Sequence, residues 1–127
     1  MSQQAAVTLN TKVYNPAGSD KGIVKWVDRS GGFGTSFSPL TQGFLENQTS
    51  RKLTKVSYRV AIPVIATTDS DCSCSGTVLR TSSVQIEFWI APDSTAAERE
   101  DLYLRVKDLI SSTLVASGVK NLDPAYG

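Results

Sequence analysis

Lys55-Val56-Ser57-Tyr58-Arg59-Val60-Ala61-Ile62-Pro63-Val64 alternates strictly in character. Successive side chains of an extended chain point to opposite faces, so Val56, Tyr58, Val60, Ile62 and Val64 share one face. Lys55, Ser57, Arg59 and Ala61 share the other. The stretch reads as a strand with one side in a core and one side polar. Thr77 to Ile90 repeats the design, with Val84, Ile86, Phe88 and Ile90 set against Ser83, Gln85, Glu87 and Trp89. Between the two, residues Ala66 to Gly76 are almost without apolar side chains and are expected to form a long exposed loop.

Working outward toward the N-terminus, Ala6 to Asn10 and Lys12 to Tyr14 are short β-type runs suited to a hairpin, and Pro16-Ala17-Gly18-Ser19-Asp20 is expected to punctuate the chain after them. Gly22 to Val27 is a further strand, ended by the breakers Asp28 to Gly32. A strand is expected from Phe37 to Glu46, but Pro39 and Gly43 leave its register open. The polar run Asn47 to Lys52 is a turn or exposed tip.

Toward the C-terminus the pattern changes period. Thr95 with Glu98 three residues later forms a capping box ahead of Leu102, Tyr103, Val106, Leu109, Ile110 and Leu114, which follow helical spacing. Ser111 to Thr113 is expected to bend this helix and Gly118 to end its second segment. The fold class is therefore α+β: strands first, then a helical pair. One or two short helices cannot cover the apolar face of five or six strands, so a partner subunit is expected to cover the remainder.

Composition narrows the function. A length of 127 residues is read as one domain, and 13 Lys and Arg against 12 Asp and Glu give a net charge of +1, so any nucleic-acid binding must be local. There is no basic arm, no membrane-length apolar run and no leader pattern, which sets the expectation of folding in a cytosol. The chain has no histidine, and its two cysteines, Cys72 and Cys74, do not have a metal-site spacing. No phosphate-binding loop, nucleophile elbow or dinucleotide fingerprint is present. Neither a catalytic residue, a metal nor a cofactor is expected. A small hydrolase built on Asp69 with Asp71, or Glu98 with Asp101, lacks a plausible base.

Several stretches together resemble the coat proteins of levivirus-type single-stranded RNA bacteriophages. Gly22-Ile-Val-Lys-Trp26 looks like the family's Gly-apolar-Ala-acidic-Trp strand, and Val56 to Ile62 like its Tyr-basic-Val strand. Arg80 through Ser94-Thr-Ala-Ala-Glu-Arg99 to Asn121-Leu-Asp-Pro-Ala-Tyr126 is similar to Q-beta-like members. The resemblance implies an N-terminal β-hairpin, a five-stranded antiparallel sheet facing RNA and two C-terminal helices interlocked with a second subunit. It implies a homodimer that assembles into a quasi-equivalent icosahedral shell, made in the bacterial host cytoplasm and residing in the virion. The partners implied are further copies of the chain and genomic RNA, including a hairpin at the replicase start whose binding represses translation. A non-assembling dimeric RNA-binding regulator is the competing reading.

The same resemblance nominates Lys55, Ser57, Arg59, Ala61, Ser83 and Gln85 as RNA-binding residues. A cation such as Lys55 or Arg59 neutralises phosphate and releases counterions, while the small Ser57 and Ala61 leave room for an unstacked base. Gln85 can hydrogen-bond a base or ribose. Ser83 stands where several relatives carry a stacking Tyr, and a serine cannot stack, so packaging is more strongly expected than tight hairpin recognition. Two cysteines one residue apart do not readily bond to each other. The resemblance assigns Cys72 and Cys74 to disulfides between neighbouring subunits.

Overall fold

The computed structural model describes residues 4–30, 37–45, 53–65 and 78–125. Two compact units divide the chain, Met1–Ile90 and Ala91–Gly127. The first holds six strands, β1 (Val7–Leu9), β2 (Lys12–Asp20), β3 (Ile23–Asp28), β4 (Ser38–Leu45), β5 (Thr54–Ile65) and β6 (Val78–Ile90). Each lies antiparallel to the next, in sheet order β1 to β6. The second holds α1 (Ala96–Ser111) and α2 (Thr113–Lys120). The expected sheet followed by a helical pair is thus present, with one economy. β2 is both the second strand of the N-terminal hairpin and the first of the five-stranded sheet, so six strands do what seven would.

Local chemistry sets the turns. Leu9 pairs with Lys12, and the intervening Asn10 and Thr11 have φ of 47° and 66°, the both-positive pattern whose twist matches that of paired strands. Asp20 pairs with Ile23 across Lys21 and Gly22, whose φ values of 50° and 82° repeat it. The expected break at Pro16 to Asp20 does not occur, because β2 runs through it. Beyond Tyr14, β2 has only β3 as a paired neighbour, so the missing N–H of Pro16 is tolerated. A bulge between Pro16 and Gly18, with Gly18 at φ 121°, absorbs the irregularity. The breaker cluster after β3 begins as expected: the Asp28 carboxylate accepts from the Ser30 backbone N–H at 3.0 Å.

One polar chain ties three strands together. Tyr14 Oη lies 2.7 Å from Ser38 Oγ, and that hydroxyl donates to the Ala61 carbonyl at 2.6 Å. A hydroxyl has a single proton, so Ser38 can only accept from Tyr14. Tyr14, Val27 and Leu40 are the buried hydrophobic residues among those described, and Ser38 is buried as well. On the same face as Tyr14, Trp26 Nε1 donates to the Ala5 carbonyl at 2.8 Å and fastens the N-terminal segment to β3.

In the second unit the capping box is complete. Thr95 Oγ1 accepts from the Glu98 N–H, and the Glu98 carboxylate accepts from the Thr95 N–H, both at 3.2 Å. The helix bends where expected and in fact breaks. Ser112 is extended (φ −75°, ψ 157°), closing α1 through its N–H to the Leu109 carbonyl and opening α2 by accepting from the Val115 N–H. Gly118, however, lies inside α2, which continues to Lys120. Its φ is not positive, and the left-handed residue after the helix is Leu122 (φ 53°). No residue of α1 or α2 is buried.

Candidate nucleic-acid interface

The register of β5 on β6 brings the nominated residues together. Paired residues of antiparallel strands place side chains on one face, with Cβ atoms about 4.5–5.5 Å apart. Lys55 stands opposite Trp89, Ser57 opposite Glu87, Arg59 opposite Gln85 and Ala61 opposite Ser83. All six expected residues therefore lie on one face of two adjacent strands. The other face carries Val56, Tyr58, Val60, Ile62 and Val64 beside Val84, Ile86 and Phe88, with Tyr58 and Phe88 in edge contact at 6.4 Å.

The polar face is wider than the sequence suggested. β4, whose register was open, sets Thr41 opposite Arg59, Gly43 opposite Ser57 and Leu45 opposite Lys55. β3 then sets Lys25 opposite Thr41 and Ile23 opposite Gly43. One cross-strand row thus reads Lys25, Thr41, Arg59, Gln85. The next reads Ile23, Gly43, Ser57, Glu87. Lys25 and Thr41 were not nominated. The alternation Val24-Lys25-Trp26 could have pointed to Lys25, since Trp26 faces the opposite side, whereas Thr41 needed the register itself.

Electrostatics divide this face. Glu87 holds Lys55 in an ion pair at 3.1 Å, accepts from the Gln85 amide at 2.8 Å, and leaves the Lys55 ammonium 5.2 Å from the centre of the Trp89 ring. Arg59 is exposed, as is Lys25, and neither makes an ion pair among the described residues. In the row beside these two cations the central residues, Gly43 and Ser57, are small. An added Cβ on Gly43 would stand 2.8 Å from Ser57 Oγ, so this pair accommodates only one small side chain.

Other nominated residues fall elsewhere. Cys72 and Cys74, with Asp69 and Asp71, lie outside the described residues. Glu98 is engaged in the capping box, and Asp101 pairs with Arg105 at 3.0 Å. Among the described residues no group of three or more metal-ligating side chains gathers, and no helix is long and apolar enough to cross a membrane. A cavity of about 570 Å³ lies on the apolar face beneath the N-terminal segment, lined by Ala5, Val7, Trp26, Leu40, Tyr58 and Val60 among others.

Comparison with known proteins gives a consistent picture. The family model described as levivirus coat protein matches residues 2–126. No curated protein matches the chain by sequence. Among solved structures, the virus-like particle of Beihai levi-like virus 21 is 18% identical and has a TM-score of 0.86, over 99% of this chain and 100% of that one. The virus-like particle of bacteriophage ESE058 is 17% identical at TM-score 0.85, over 98% and 100%. The capsid protein of bacteriophage GA is 11% identical at TM-score 0.79, over 97% and 98%. At such identities the structural likeness establishes the fold.

Proposed function

Because the chain belongs to the levivirus coat protein family and is accordingly a phage capsid protein, we propose that it works as a homodimer whose copies close into an icosahedral, RNA-filled shell. The observation that carries the dimer is apolar exposure. On the sheet, Ile62 and Val84 are 54% and 52% exposed, and in the helical unit Leu102, Tyr103, Leu109, Ile110 and Leu114 are all exposed. Monomeric soluble proteins rarely leave such surfaces wet, and a two-fold partner that lays its helices over this chain's apolar sheet face would bury both sets together.

The sheet edge supports the same reading. β6 is the last strand, 13 residues long, and its outer edge has no strand partner among the described residues. An edge of that length invites strand pairing. Antiparallel pairing of β6 with its two-fold copy would continue one sheet across the dimer and join the two polar faces. Ser57, Arg59, Ala61, Ser83 and Gln85 then meet genomic RNA on the shell's inner side, mainly through phosphate contacts, which position without reading sequence. With Ser83 where a stacking ring would be needed, packaging is the primary role and hairpin repression the secondary one. Assembly takes place in the bacterial cytoplasm. Following the family resemblance, Cys72 and Cys74 crosslink neighbouring subunits once particles reach an oxidising environment.

Expression of the full chain in bacteria, followed by electron microscopy, nuclease treatment and non-reducing electrophoresis, tests this. Uniform particles with nuclease-protected RNA and ladders that collapse on reduction are expected. A stable dimer that binds RNA without ever forming particles would favour the regulator reading instead.

A further inference from the structure

We infer that single-stranded RNA crosses the sheet along the row Lys25, Thr41, Arg59, Gln85, with Lys25 and Arg59 as its phosphate contacts and Lys55 withheld by Glu87. This rests on the reading of the polar face as the RNA-facing one and assigns its charges. Among the described residues of β3 to β6, Lys25, Lys55 and Arg59 are the cations on that face, but they are not equivalent. Lys55 is already neutralised by Glu87 at 3.1 Å and lies against Trp89. A phosphate approaching it would have to displace a carboxylate that also holds Gln85.

Lys25 and Arg59 stand in one row with only Thr41 between them, and neither is in an ion pair among the described residues. Two strand spacings separate their backbones by ~9.5 Å, a span that two long, flexible side chains can close onto neighbouring phosphates. Asp20, a further carboxylate on this face, pairs with Ile23 at the turn end of β3, diagonal to Lys25, and makes no ion pair with it among the described residues. Beside the cation row stand the glycine Gly43 and the small Ser57, which leave space for the bases that hang from a backbone held at Lys25 and Arg59. Thr41 supplies a hydroxyl to the same backbone, and Gln85 an amide whose N–H is turned toward Glu87, which leaves its carbonyl oxygen for a base or ribose donor.

The test is the salt dependence of binding of a short fluorescein-labelled oligouridylate, which cannot form a hairpin, to the full-length protein and its variants after particles are disassembled and freed of packaged RNA. Each phosphate neutralised contributes about 0.7 to the slope of log affinity against log salt for single strands. Lys25→Gln and Arg59→Gln should each reduce the slope by about that amount, and together by twice it. Glu87→Gln, which frees Lys55, should steepen it by a similar amount. The charge-neutral double change Lys55→Gln with Glu87→Gln should leave it as in the parent. Particle formation by each variant, seen by electron microscopy, establishes that the fold is intact. A Lys25→Gln protein with the parental slope, or a Lys55→Gln/Glu87→Gln protein that loses as much as Arg59→Gln, would overturn the assignment while leaving RNA binding by this face standing. A parent protein that forms particles but whose disassembled, RNA-free form shows no salt-dependent RNA binding would remove the RNA reading and this track with it.

Discussion

Ser38→Ala should be far more damaging than its size suggests. Ser38 and Tyr14 are 6% and 4% exposed, and no buried side-chain polar atom among the described residues lacks a partner. Removing the Ser38 hydroxyl abolishes the 2.7 Å bond from Tyr14 and the 2.6 Å bond to the Ala61 carbonyl together. It also leaves the Tyr14 hydroxyl buried with no acceptor. A stranded buried donor costs about 1–3 kcal/mol and a simple lost bond about 1, so the total is about 2–4 kcal/mol. Tyr14→Phe removes a single bond and leaves Ser38 still donating to Ala61, at a cost of about 1 kcal/mol. In the Ser38→Ala background, Tyr14→Phe should then restore stability, because it deletes the stranded group. Urea unfolding of disassembled protein, followed by tryptophan fluorescence at one fixed subunit concentration, measures all three, since the stability of an oligomer depends on concentration. Additive losses in the double variant, or a Tyr14→Phe loss equal to that of Ser38→Ala, would refute the proposed proton arrangement.

Three further changes probe local structure. Thr11 holds φ 66° in the β1–β2 turn, a left-handed conformation that costs an L-residue about 1–2 kcal/mol, so Thr11→Gly should raise the urea midpoint, and a fall would count against the assigned turn. Thr95→Ala removes one half of the capping box and should cost about 1 kcal/mol with a loss of helical circular dichroism, whereas Thr95→Ser should keep most of the stability. Gly43→Ala drives a methyl to within 2.8 Å of Ser57 Oγ and should destabilise by about 1–3 kcal/mol; combining it with Ser57→Gly should return most of that loss in the same melt.

Residues whose role follows from local periodicity were legible in the sequence. The faces of β5 and β6, the Thr95–Glu98 cap and the break at Ser111 to Thr113 all follow from patterns spanning only a few positions. Pro16 and Gly118 misled for a common reason: a breaker's effect depends on its neighbours. Pro16 is harmless where β2 has a single paired neighbour, and Gly118 needs no left-handed φ because Leu122 supplies one two residues past the helix. At the candidate interface, alternation placed Lys55, Ser57, Arg59 and Ala61 on the polar side of one strand and Ser83 and Gln85 on the polar side of the next, and the β5–β6 register joins them into one face. It could not say that Glu87 occupies Lys55, nor that β3 and β4 add Lys25 and Thr41 to the row, since those are matters of cross-strand register, which is set by pairing.

The most direct test of the account is a high-resolution electron cryomicroscopy reconstruction of particles assembled from the full chain. The face carrying Lys25, Arg59 and Gln85 should line the RNA-filled interior, while the opposite face, with Ile62 and Val84, should lie beneath the helices of a two-fold partner. A shell in which that polar face points outward, or in which the apolar face meets no partner helix, would contradict it.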